Sequence, residues 1–120
     1  MFISTACSLG SLTRLPMGEY RSIPETRIMM TSLMREVETV ARAQGVEMDE
    51  DVVQKSLDFI DNAAPTIKAS MQLDVAAGRR SELEAMIGVI GRKGRELGVP
   101  TPVADMVYAA LLPIELKARG

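Results

Sequence analysis

The stretch SMQLDVAAGRRSELEAMIG, Ser70 to Gly88, gathers Ser70, Asp74, Arg79, Arg80, Ser81, Glu82 and Glu84 around one glycine, Gly78. Ser70 and Asp74 are four apart, so on a helix they share a face. Asp74 falls near a helix C-terminus, where the dipole disfavours an anion, and pairing with Arg79 or Arg80 would account for it. Glu82 falls in a first turn, where the dipole favours the ionised carboxylate. Such a group suits accepting hydrogen bonds from a ligand hydroxyl or holding a cation. It is a poor general acid near neutral pH, so any proton donor is another residue. A purely architectural account also exists. Ser81 and Glu84 have capping-box spacing, Gly78 suits a left-handed helix end, and Arg79 and Arg80 would lie in solvent. That account covers Gly78, Ser81 and Glu84 and explains Ser70, Asp74 and Glu82 less well.

Composition narrows the chemistry. The chain has 120 residues, 47% of them apolar, and no His or Trp. This length suggests one domain with a core of Leu, Ile, Val, Met and Ala. With no His and one Cys, no metal site is expected, and no Ser-His-Asp or Cys-His arrangement can be built. The net charge of −2 provides no field for nucleic acid or anionic lipid. No apolar run reaches membrane-spanning length. Cys7 has no internal disulfide partner and reads as a small core residue in a reducing, cytoplasmic setting. The start, MFISTACSLG, lacks the basic region of a signal peptide.

The elements that must position these groups read as helices, with no convincing strand. Residues 2–15 form the first, ended by Pro16, and MGEYRSIP reads as a loop. Ser22, Pro24 and Glu25 open a second helix that closes at Gly45, with Met30, Leu33, Met34, Val37, Val40, Ala41 and Gln44 as its stripe. Asp49, Glu50 and Asp51 begin a third, buried through Val53, Leu57, Ile60 and Ala64. Pro65 begins a fourth that stops near Gly78. A fifth runs from Ser81 to Leu97, and its Gly88, Gly91 and Gly94 imply close helix–helix approach. Thr101 and Pro102 open the sixth as N-cap and first residue, and Pro113 should kink or end it. The expected fold is all-α, a compact bundle of about six helices.

The long run SMQLDVAAGRRSELEAMIGVIGRKGRELGVPTP resembles the C-terminal domain of the ketopantoate reductase (2-dehydropantoate 2-reductase) family. Ser70-Met71, Asp74, Gly78-Arg79, Ser81-Glu82, Glu84, Gly88 and Gly98-Val99-Pro100-Thr101-Pro102 match its order and spacing. SLTRLPMGEYRSIPETR and LMREVETVARAQGV resemble its first-helix exit and next helix, so the likeness spans nearly the whole chain. It implies a helical domain like that of the 6-phosphogluconate dehydrogenase-like reductases. In the family this domain follows an NADPH-binding Rossmann domain and closes a cleft for a small 2-keto acid. The resemblance carries substrate contact onto Ser70, and contact with substrate and cofactor hydroxyls onto Glu82. The chain departs from the family in having no G-x-G-x-x-G fingerprint. The family's catalytic lysine would fall just before Met1, so no catalytic residue is assigned here and residues 1–120 alone are expected neither to bind NADPH nor to turn over. Ile3, Cys7, Ile67 and Ile87 stand where some members carry asparagine, which leaves the substrate open.

Two functions therefore stand. The first is the substrate-binding domain of an NADPH-dependent 2-keto acid reductase of pantothenate biosynthesis, whose partner is a preceding Rossmann domain. The alternative is a non-catalytic helical module kept for assembly, such as a homodimer, motivated by the nine Met and an apolar first helix.

Overall fold

The computed structural model describes residues 1–120 as helices and loops with no strand. There are seven α-helices: α1 (Phe2–Thr13), α2 (Met17–Tyr20), α3 (Pro24–Ala43), α4 (Val52–Asn62), α5 (Ser70–Ala76), α6 (Val89–Leu97) and α7 (Pro102–Arg119). A π-helical turn, Glu84–Gly88, runs directly into α6. The expected all-α bundle is present, with one short helix more than expected. No helix is long and apolar enough to cross a membrane.

α1 is the central helix. Every residue from Thr5 to Ser11 is buried, so no face of this segment meets solvent. Polar side chains on a helix buried all round are costly unless bonded internally, and the Ser11 hydroxyl alone among its hydroxyls in this stretch finds no partner. Thr5 and Ser8 donate to the carbonyls of Met1 and Ser4, one turn back. One side of α1 joins the core of Leu9, Met17, Tyr20, Met30, Met34, Leu57 and Ile60. The other joins Met71, Val75, Leu83, Ile87, Val107 and Leu111 through Cys7. A third cluster ties α3 to α6 and α7 through Leu33, Val40, Ile90 and Ala104.

Several expected boundaries move, each for a local reason. The MGEYRSIP segment holds the one-turn helix α2. The Ser22–Glu25 capping box does not form: Ser22 donates to the Gly18 carbonyl, and Ile23 is the N-cap with Pro24 following. The helix expected from Pro65 starts at Ser70 instead. Residues 64–69 are held as a loop because the carbonyls of Pro65 and Ile67 accept from the N–H groups of Gly18 and Met17, at 2.9 and 3.0 Å. α7 passes through Pro113 without ending. The carbonyl that proline leaves without a donor belongs to Ala109, which is exposed, so water can satisfy it.

α7 also gains an unexpected cap. Thr101 sits at the N-cap without capping by its side chain. The carboxylate of Glu36, on α3, accepts from the N–H groups of Val103 and Ala104 at 2.8 and 2.9 Å. A carboxylate at a helix N-terminus satisfies otherwise orphaned donors and meets the positive end of the dipole. Close helix–helix approach is present at Gly91, where a Cβ would lie 2.5 Å from Asp105 Oδ1 of α7; Gly94 instead closes on the connecting loop, where a Cβ would lie 2.7 Å from the Val99 carbonyl oxygen.

Candidate functional site

The corner from Ser70 to Gly88 is built by two different devices. At its first end, α5 closes in a Schellman motif: Gly78 has φ +72°, its N–H reaches the Val75 carbonyl, and the Arg79 N–H reaches that of Asp74. Arg79 Nε lies 3.1 Å from Asp74 Oδ1, so Asp74 is paired as the architectural account expects. At the other end the capping box fails. The Ser81 N–H and hydroxyl both donate to the carboxylate of Glu115 on α7, the hydroxyl at 2.7 Å. Glu84 instead meets the Tyr108 hydroxyl and Arg92. The reason is geometric. The backbone enters a π-turn at Glu84, and the wider turn carries the Glu84 side chain toward α7 rather than back to Ser81.

Ser70 sits on the first turn of α5 and is exposed. It lines an open cavity of about 240 Å³ with Phe2, Ile3, Ala6 and Cys7 of α1 and with Ile67 and Ala69 of the preceding loop. Three of the four substituted positions thus meet Ser70 in one hollow. The fourth, Ile87, does not: it is fully buried in the core beside Leu83, Val107 and Leu111. Phe2 is braced edge-to-face against Phe59, ring centroids 4.7 Å apart.

Glu82 is exposed on the turn after Ser81 and is not a wall of this hollow. Its charge nevertheless reaches it. Burial pushes the Cys7 thiol above its usual range, and the Glu82 carboxylate pushes it further. Ser70 and Cys7 share the hollow, and Glu82 stands outside it on the turn before the π-helix.

Two residues that matter here carried no usable signal in the sequence. Glu115 was one acidic residue on a helix rich in solvent-facing positions. Tyr108 stands 24 residues from Glu84, whose carboxylate its hydroxyl meets across the π-turn. Arg92, Lys93 and Arg95 form a solvated face of α6 on which each makes a surface ion pair: Arg92 with Glu84, Lys93 with Glu96 and Arg95 with Asp105.

Comparison with known proteins gives a consistent result. The family model described as "Ketopantoate reductase PanE/ApbA C terminal" matches residues 1–115. A 2-dehydropantoate 2-reductase from Caulobacter vibrioides is 40% identical over 83 residues, which are 69% of this chain and 29% of that protein. Among solved structures, a ketopantoate reductase from Staphylococcus aureus, described as dimeric, superposes with a TM-score of 0.88 at 25% identity, over 98% of this chain and 42% of its own. The 2-dehydropantoate 2-reductase of Methylococcus capsulatus does so with a TM-score of 0.87 at 30% identity, over 98% of this chain and 40% of its own. The chain thus spans well under half the length of each of these relatives.

Proposed function

The chain belongs to the ketopantoate reductase family, as its C-terminal domain, and from that premise we propose that it is the substrate-side half of an NADPH-dependent 2-keto acid reductase. The observation that supports this most directly is the convergence of Ser70 and three α1 and loop positions on one hollow. Ser70 offers a hydroxyl that both donates and accepts, suited to a substrate oxygen. Glu82, an exposed carboxylate, accepts from hydroxyls of substrate or cofactor.

The residues present do not fit a dinucleotide site of their own. A pyrophosphate cradle of the Rossmann type needs a glycine-rich turn between a strand and a helix, and this chain is helix and loop throughout. The cofactor and the family's proton-donating lysine accordingly belong to a preceding domain. This half orients the keto acid, and Glu82 is the residue it offers to the cofactor's hydroxyls. The unpaired, buried Cys7 accords with a reducing cytoplasmic setting.

The assembly-module alternative draws less support. Its most exposed apolar side chains, Met106, Ile28, Phe59, Ile3 and Leu116, are spread over α7, α3, α4 and α1, and Met106 and Leu116 are separated by about 80° around α7 at 3.6 residues per turn. A homodimer of the complete reductase remains part of the proposal, by likeness to the dimeric Staphylococcus enzyme.

The test joins residues 1–120 to the dinucleotide-binding domain of a full-length relative and follows NADPH oxidation with 2-keto acids. The joined protein should turn over, and residues 1–120 alone should not. Glu82→Ala should lower kcat/KM of the joined protein by roughly tenfold to a hundredfold, as expected for a lost hydrogen bond to a charged group. Turnover by the chain alone refutes the division of labour, and an unchanged kcat/KM removes Glu82 from the site.

A further inference from the structure

At the far end of α5 from Ser70, an open cavity of about 410 Å³ lies where α1, α5 and α7 end together. Its size is within the roughly 300–1,000 Å³ of most small-molecule sites. Arg14, the C-cap of α1, and Lys117, in the last turn of α7, line it, and no carboxylate does. Val75, Ala76, Ile114 and Ala118 form its apolar walls. Val75 belongs to the core cluster of Leu83 and Leu111, and Ile114 packs against that cluster, so the walls are anchored.

Both cations are uncompensated. Every arginine and lysine of α6 has an acid partner, as do Arg27, Arg42, Lys55, Arg79 and Arg119, whereas Arg14 and Lys117 form no ion pair. The carboxylates beside the walls in the chain, Asp74 before Val75 and Glu115 after Ile114, are taken by Arg79 and by Ser81 with Arg119. Arg14 also holds the one positive φ outside glycine, +61°. Glycine adopts that backbone freely, and arginine does so under strain. A cation at a helix C-terminus complements the dipole, which accounts for Lys117. It does not account for the strain at Arg14, because an arginine within the last turn would complement the dipole as well. Backbone strain of this kind clusters where a side chain meets a ligand.

We propose that this cavity binds a small phosphate monoester, with its phosphate between Arg14 and Lys117 and its hydrocarbon part against Val75 and Ile114. Two uncompensated positive charges match a phosphate that carries nearly two negative ones, and the guanidinium offers paired donors to its oxygens. The site stands independently of the keto-acid reading of the hollow beside Ser70.

The experiment titrates isotopically labelled residues 1–120 at pH 8 with phenyl phosphate, inorganic phosphate and benzyl alcohol, following amide shifts by NMR. The expected result is perturbation around Arg14, Val75 to Gly78 and Ile114 to Ala118, with phenyl phosphate binding about tenfold more tightly than either of the others. Arg14→Gly and Lys117→Gln should each weaken phenyl phosphate about tenfold, as for a lost hydrogen bond to a charged group. Glycine relaxes the backbone at this position, so the urea midpoint of Arg14→Gly should be no lower than that of the unaltered chain, which separates lost binding from lost fold. Phenyl phosphate binding no tighter than benzyl alcohol overturns the role of the two cations, and binding no tighter than inorganic phosphate overturns the role of the apolar walls. Silence at these residues, or undiminished binding by Arg14→Gly, overturns the site.

Discussion

The carboxylate of Glu115, 4% exposed on α7, holds both the backbone N–H and the hydroxyl of Ser81, 34 residues earlier in the chain. Arg119 completes the set from one turn further along α7. Ser81 is the immediate neighbour of Glu82, so this contact fixes the turn from which the Glu82 carboxylate projects. Glu115→Ala would leave the Ser81 donors without their acceptor. It should cost about 1–3 kcal/mol of folding stability, the usual penalty for such an unmade bond. Urea unfolding of the two proteins checks this, and coincident midpoints would exclude a structural role for the contact.

Acid should destabilise the fold through named groups. The hydrogen bond from Tyr108 holds the Glu84 carboxyl below its usual range, and that from Arg27 does the same for Asp61. Burial pushes Glu115 up, but the bonds from Ser81 and Arg119 outweigh it and leave its pKa lowered. A carboxyl whose pKa is lower folded than unfolded contributes stability that is complete above the unfolded value, roughly pH 4–5, and is lost as pH falls through the folded value. Urea midpoints should be level from pH 7 to pH 5 and fall below about pH 4. In Tyr108→Phe the Glu84 share of that loss should shrink. A midpoint that stays level down to pH 3 would contradict the assignment.

The loop that presents Ile67 and Ser70 depends on a glycine two helices away. A Cβ on Gly18 would stand 2.5 Å from Pro65 Cβ and 2.9 Å from the Pro65 carbonyl oxygen, which accepts from the Gly18 N–H. Gly18→Ala must therefore push the loop off α2. The expected cost is about 1–3 kcal/mol, typical of overpacking, with amide shifts concentrated at residues 64–70. Shifts confined to α2 would show that the loop is anchored elsewhere.

Cys7 reports on Glu82. Both burial and the Glu82 charge raise the thiol's pKa, and only the thiolate is nucleophilic. Native alkylation by iodoacetamide at pH 8 should be much slower than in urea. Glu82→Gln removes the anion, lowers the thiol pKa and should speed the native reaction severalfold without changing the rate in urea. Identical native rates in the two proteins would place Glu82 too far away to act on this face.

By itself the sequence determined the fold class, most helix interiors and the two residues proposed for the site. Apolar side chains at i, i+3, i+4 and i+7 leave few alternatives to a helix packed on one face, and glycine at 45, 78 and 98 suits the left-handed ends found there. Ser70, Glu82 and the substituted positions are proposed from motif spacing, which is a local property. What the tertiary structure decided lies in contacts between distant segments. Ser81 had two acceptors of similar chemistry, Glu84 three residues away and Glu115 on α7. Spacing favoured the first, and the π-turn together with the position of α7 gave it the second. Pro65 could open a helix, yet its carbonyl is taken by Gly18, and residues 64–67 close a turn that sets Ile67 beside Ser70 in one hollow. The Val103 and Ala104 donors went to Glu36 rather than to Thr101. In each case local pattern names the groups that can bond. Which bond forms depends on the helix packed opposite, and periodicity along one segment carries no information about that.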